Sequence, residues 1–135
     1  EPPPPMRVLV VDDEPGITRV LRDSLQGHRV QSARSGREAM QMLEQEEFDM
    51  VVCDLVMPDV TGIDLYEHAR ARWPHMARRF VFMTGGAFTE DTQAFIERVD
   101  NPVLDKPFTV RELLTVLTRQ VRAASHDGAI FARTS

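Results

Sequence analysis

The chain has 135 residues, 42% of them hydrophobic and 27% charged, and carries a net charge of −5. That is one domain's length with enough apolar content for a core, which excludes whole-chain disorder and collagen-like repeats. The acidic balance speaks against sequence-independent nucleic-acid binding, and a single cysteine excludes a disulfide framework.

Residues 1–5 (Glu1 then four prolines) read as the end of a stiff linker, not as a signal peptide. Arg7–Val11 (RVLVV) is the first strand, and Pro15 opens a helix running to about Leu25. Arg29–Ala33 (RVQSA) is a weaker strand, followed by a capping box at Ser35-Gly-Arg-Glu38. Met50–Cys53 (MVVC) comes next, then Thr61-Gly-Ile-Asp64, the aspartate form of the same box. Trp73-Pro74 reads as a helix stop, and the basic residues Arg70, Arg72, Arg78 and Arg79 around it as a solvated helix end and loop. Phe80–Met83 (FVFM) is the fourth strand, and Thr89 caps a helix with Glu90 and Asp91 in its first turn. A short strand at Val103–Leu104 precedes a capping box at Thr109-Val-Arg-Glu112. The last helix carries Val110, Leu113, Leu114, Leu117 and Val121 as one apolar stripe. Residues 125–135 show no periodicity and read as a tail, so the domain is expected over 6–124.

The first, third and fourth strands are apolar on consecutive residues, as strands buried on both faces are. Five such runs alternating with five helices predict an α/β fold. The expected architecture is a (βα)5 doubly wound parallel five-stranded sheet of flavodoxin-like order 2-1-3-4-5. Ligands in such sheets sit beyond the carboxyl ends of the strands. The residues there are Asp12, Asp13 and Glu14 after the first strand, Asp54 after the third, Thr84 and Gly85 after the fourth, and Lys106 after the fifth.

Clustered carboxylates without His or Cys suit a hard cation held by oxygens, Mg²⁺ above all. Such an ion, with Thr84, the Gly85 backbone and Lys106 around it, supplies what phosphoryl transfer needs. All but one of the 16 basic residues are arginine, and the exception is Lys106. A site requiring a compact point charge would keep a lysine there. Asp54, nearest the sheet centre, is the expected nucleophile.

Four motifs in order, each after a strand, resemble the response-regulator receiver domain of two-component signalling: Val-Asp12-Asp13-Glu, Asp54-Leu-Val-Met57-Pro58-Asp-Val-Thr-Gly62, Met83-Thr84-Gly85 and Lys106-Pro107-Phe108. The resemblance covers about Met6 to Ala124. It implies Asp54 as phosphoacceptor, with Mg²⁺ bound by Asp13, Asp54 and the Val56 backbone carbonyl, and Asp12 holding metal waters. It implies Thr84, Gly85 and Lys106 around the phosphoryl group. A cis peptide is expected at Lys106-Pro107, and Pro58 and Gly62 are expected to shape the loop after the phosphorylation site. The implied partners are a sensor histidine kinase or a histidine phosphotransfer protein. A cytoplasmic monomer without nucleic-acid or membrane contacts is expected. The proline-rich N-terminus and the short tail favour the C-terminal receiver of a hybrid kinase.

Two departures from the resemblance stand out. Val103 replaces the aromatic residue common three positions before the lysine, and Asn101-Pro102 replaces a small pair. The first removes the usual aromatic output switch. Val56 and Gly86 offer no acid or amide to orient a water, which implies slow self-hydrolysis. Two alternatives compete with the receiver: an aspartyl-phosphate phosphatase of haloacid-dehalogenase type, and a degenerate receiver that only binds partners. The phosphatase would place its nucleophile after the first strand, and the degenerate form would have lost its acidic residues. Cys53 reads as core packing. His28, His68, His75 and His126 share no ligand spacing, so no zinc site is expected.

Overall fold

The computed structural model of the chain describes residues 5–57, 59–85 and 89–126, with 121–126 described by backbone alone. Pro58, Gly86, the first four linker residues and the tail from 127 lie outside the described residues, and so does the Val121 side chain. Five strands form one parallel sheet: β1 (Arg7–Val11), β2 (Arg29–Ala33), β3 (Met50–Asp54), β4 (Phe80–Thr84) and β5 (Val103–Asp105). Their order is β2-β1-β3-β4-β5, as expected. The helices are α1 (Pro15–Ser24), α2 (Gly36–Gln45), α3 (Gly62–Arg72), the single turn α4 (Pro74–Ala77), α5 (Glu90–Arg98) and α6 (Val110–His126). α4 is additional to the expected set. Trp73 does stop α3, but Pro74 sits at the first position of a new turn, where a missing N–H does no harm.

Alternation along the strands builds two cores. Leu9, Val11, Val51, Cys53, Phe80 and Phe82 face α2, α3 and α5, meeting Leu43, Leu65 and Phe95. Val8, Val10, Val52, Val81 and Met83 face α1 and α6, meeting Leu21, Leu113 and Leu117. Each such side chain contributes about 1.5–3 kcal/mol by leaving water. On the first face the Tyr66 ring stands edge-on to Phe80, Phe82 and Phe95, with centroids 5.4–5.7 Å apart.

The capping signals act in different ways. Thr61 with Asp64 and Thr109 with Glu112 exchange both bonds of the box. Ser35 accepts from Glu38 N–H, but the Glu38 carboxylate accepts from Arg34 N–H, one residue earlier than a capping box requires.

Two expectations are corrected. The α6 stripe is rotated: Val110 and Leu114 are 49% and 41% exposed, while Leu113, Leu117 and the polar Gln120 are buried. Gln120 is held there because its Nε2 donates to the Arg78 and Phe80 carbonyls. Arg79 is not part of a solvated stretch. It is 2% exposed, and its Nη1 donates to the Phe48 carbonyl at 2.8 Å, 3.9 Å from Glu47. The Arg79 guanidinium thereby supplies a donor to a buried carbonyl just before β3. Asn101, a departure in the sequence, acts similarly, its Nδ2 donating to the Ala77 and Phe80 carbonyls at 3.0 and 2.9 Å. These bonds gather the N-terminal ends of β3, β4 and β5, opposite the rim that carries the candidate chemistry.

Candidate functional site

The carboxyl ends of β1, β3, β4 and β5 bring Asp12, Asp13, Asp54, Thr84 and Lys106 to one rim. Asp54 is the last residue of β3, between β1 and β4, and its side chain is nearly buried. Its Oδ1 accepts from Val56 N–H at 3.2 Å, and its Oδ2 accepts from Lys106 Nζ at 3.3 Å. Asp12 is buried, and its two oxygens accept from Glu14 N–H and Lys106 Nζ, both at 2.8 Å. Asp13 is exposed. One carboxylate oxygen from each of Asp12, Asp13 and Asp54 falls within 4.8 Å of the others.

Lys106 follows β5, and its peptide to Pro107 is cis. Its backbone N–H donates to the Thr84 carbonyl at 2.7 Å, which draws the ends of β4 and β5 together. Gly85 leaves room beside it: a Cβ there would meet only Lys106 Cδ, at 3.9 Å. Gly62 lies beneath the rim, with its N–H donating to the Leu55 carbonyl at 3.2 Å. Val56 is 57% exposed beside Asp54. Pro58 lies outside the described residues.

Burial pushes the Asp54 carboxyl up, and the neighbouring Asp12 charge adds to this. The Val56 N–H and the Lys106 ammonium oppose it without reversing it. Burial would lower the Lys106 pKa, yet the hydrogen bond to Asp12 and the charges of Asp54 and Asp12 outweigh it, so the ammonium is held above its ordinary value. Burial also raises the Cys53 thiol, ahead of the Asp54 and Asp12 charges, so Cys53 is an uncharged core group.

The donor set tests the expectation of a metal. It is carboxylate oxygen throughout, with two groups buried and one open to solvent. That fits a hard divalent cation able to keep water in its shell. Thr84 provides a second observation. It is 1% exposed, and its Oγ1 has no hydrogen-bond partner among the described residues. A buried orphan hydroxyl lowers stability unless something satisfies it. Thr84→Val should therefore stabilise the free chain by about 1 kcal/mol while impairing occupancy of the rim. Denaturant titration measures the first effect, and an unchanged or lower midpoint would remove the orphan reading. Sequence reasoning assigned no role to Glu14, whose Oε1 lies 3.4 Å from Lys106 Nζ. Its place directly after the acidic pair was the available signal.

The profile described as the response regulator receiver domain matches residues 8–118. The chain is 31% identical over 124 residues to the transcriptional regulatory protein TrcR of Mycobacterium tuberculosis, covering 90% of this chain and 48% of that protein. It is 32% identical over 122 residues to the sensor histidine kinase RcsC of Escherichia coli, covering 87% of this chain and 13% of that protein. The chain thus spans about half the length of most of these curated relatives. Among solved structures it superposes on a CheY-like response regulator receiver domain protein of Methanospirillum hungatei. The TM-score is 0.81 at 25% identity, covering 91% of this chain and 98% of that one.

Proposed function

Because the chain belongs to the response regulator receiver domain family, we propose that it is the phosphoacceptor of a two-component phosphorelay, taking a phosphoryl group from a phosphohistidine onto Asp54. The observation that carries this is the position of Asp54: a nearly buried carboxylate at the end of β3, with two further carboxylates within 4.8 Å and the chain's one lysine 3.3 Å away.

In the step itself an Asp54 oxygen forms the new P–O bond. The P–N bond of the donor breaks, and its electron pair stays on the imidazole nitrogen. Asp12, Asp13, Asp54 and the Val56 carbonyl would hold Mg²⁺. Such an ion neutralises charge shared between carboxylates and phosphoryl oxygens. Lys106 supplies a point charge for one phosphoryl oxygen, and the Thr84 hydroxyl donates to another. Gly85 leaves space for the group. The chain in this reading catalyses its own phosphorylation and dephosphorylation without turning over a free substrate. Its partner is a histidine kinase or phosphotransfer protein in the cytoplasm, met by a monomer that touches neither nucleic acid nor membrane. Among the described residues no helix is long and apolar enough to cross a membrane.

The reading is tested by phosphorylation with acetyl phosphate and Mg²⁺, followed by intact mass. One acid-stable, base-labile phosphoryl group is expected, and a chelator should suppress it. No uptake under these conditions would defeat the proposal.

Val103 bears on output. It pairs with Phe82 across the β4–β5 ladder and is only partly buried. It has no ring to swing inward when Thr84 engages a ligand, so a bistable aromatic element is missing. Beryllofluoride with Mg²⁺ should therefore shift amides around Asp54 and Thr84 more than those of α6. Sedimentation should show a monomer before and after. Large shifts along Val110–Gln120 with dimer formation would overturn this.

A further inference from the structure

Lys106 is shared by three carboxylates, and the phosphorylation chemistry uses only two of them. Its Nζ lies 2.8 Å from Asp12 Oδ2, 3.3 Å from Asp54 Oδ2 and 3.4 Å from Glu14 Oε1. The third contact has a local cause. Glu14 occupies the cap position of α1, where a side-chain oxygen usually accepts from an N–H of the first turn. Glu14 makes no such bond. Its backbone N–H donates to Asp12 Oδ1 at 2.8 Å, which fixes the base of its side chain beside the acidic pair. The Glu14 side chain is 65% exposed and that of Lys106 is 12% exposed, so the carboxylate reaches from solvent onto a nearly covered ammonium.

We propose that Glu14 is a positioning residue for Lys106: it holds the ammonium toward the β1 side of the rim and competes for it with a phosphoryl group arriving at Asp54. This rests on the phosphoacceptor reading of Asp54. An ammonium is a compact charge on a flexible stem, and it settles where the surrounding oxygens balance. Before transfer those oxygens are the three carboxylates. Transfer turns one Asp54 oxygen into the bridging oxygen of an acyl phosphate and brings phosphoryl oxygens beside it, so the ammonium must shift away from Glu14. An interaction strong at the start and weaker in the transition state slows the step.

The single lysine makes the test direct, because an isotope-labelled chain gives one lysine side-chain ammonium resonance. That resonance is recorded without Mg²⁺ or phosphodonor in the parent chain, in Glu14→Gln and in Glu14→Asp. The same three proteins are then phosphorylated by acetyl phosphate with saturating Mg²⁺, at low and high salt. Glu14→Asp keeps the charge but is one methylene too short to hold the contact. Both variants should move the lysine resonance. Both should also phosphorylate about two- to fivefold faster, the size of an exposed ion pair. The gain should shrink at high salt, which screens an exposed pair. A Glu14→Asp chain that behaves like the parent would show that only net charge matters and overturn the proposal. An unmoved resonance in both variants would overturn it too. A chain that takes up no phosphoryl group sinks the reading of Asp54. One that takes it up equally fast in all three forms sinks the role of Glu14.

Discussion

Asp54→Asn is expected to abolish phosphoryl uptake and at the same time to stabilise the fold. Asparagine keeps the shape of aspartate and an oxygen for the Val56 N–H, but it has no anionic oxygen to attack phosphorus. Lys106 loses one of three carboxylate neighbours and keeps Asp12 and Glu14. What disappears is a desolvated charge beside the buried Asp12. Burial and Asp12 raise the Asp54 carboxyl above its ordinary value, which is about 3.9. Above that value, and up to the folded pKa, the folded chain holds a proton that the unfolded chain releases. Stability is therefore lost as pH rises through this window, and the penalty remains at neutral pH. The advantage of Asp54→Asn should be absent at acid pH and grow through the window. Denaturant titrations of both chains without Mg²⁺, across about pH 3 to 7, measure it. A variant less stable than the parent at neutral pH would refute the crowded-carboxylate reading. Equal phosphoryl labelling would move the acceptor elsewhere.

Gly62→Ala should damage both the fold and the site. Gly62 is the first residue of α3, and a Cβ there would lie 2.3 Å from the Asp54 carbonyl oxygen and 2.8 Å from Leu55 Cα. Both obstacles are backbone, so no side chain can turn aside. The end of β3 cannot retreat easily either, because Leu55 N–H donates to the Met83 carbonyl at 2.9 Å. Alanine is favoured over glycine within helices by about 1 kcal/mol, but the clash decides the sign. The expected loss is about 1–3 kcal/mol, with slower phosphorylation because Asp54 is displaced. Gly85→Ala is the control: its nearest neighbour would be Lys106 Cδ at ordinary contact distance, so stability should stay close to the parent. Urea midpoints for the three chains check this. A Gly62→Ala chain as stable as the parent would show that the loop can rise away from β3.

The parts of the fold that are legible in the residues alone follow from burial on two faces. A run such as Phe80–Met83, covered by helices on both sides, has no polar position to confuse with a loop. The rim is legible for a related reason, since a charged residue directly after such a strand has few places to go. The misread positions share a different cause. Arg79 and Gln120 look like surface residues because their type is polar, yet each is buried against carbonyls contributed by other segments of the chain. No periodicity within one helix or loop reveals a partner that far along the sequence. Val110 and Leu114 show the reverse, two apolar residues left on the flank of α6 because Gln120 took the buried row. The role of Glu14 is hidden in the same way, because its contact with Lys106 joins residues at opposite ends of the chain.

The two ends of the sheet differ mechanically. At the N-terminal edge, Arg79, Asn101 and Gln120 tie the carbonyls of Phe48, Ala77, Arg78 and Phe80, while Asp49 accepts from Arg7 N–H. At the other edge a single ammonium, Lys106 Nζ, holds the carboxylates of Asp12, Asp54 and Glu14 together, and the Thr84 hydroxyl has no partner among the described residues. The first set of ties is internal to the fold, whereas the ammonium at the rim is a latch that an arriving anion can draw away. A load applied at Asp54 therefore acts on the latch, while the ties at Phe80 lie at the far end of the sheet.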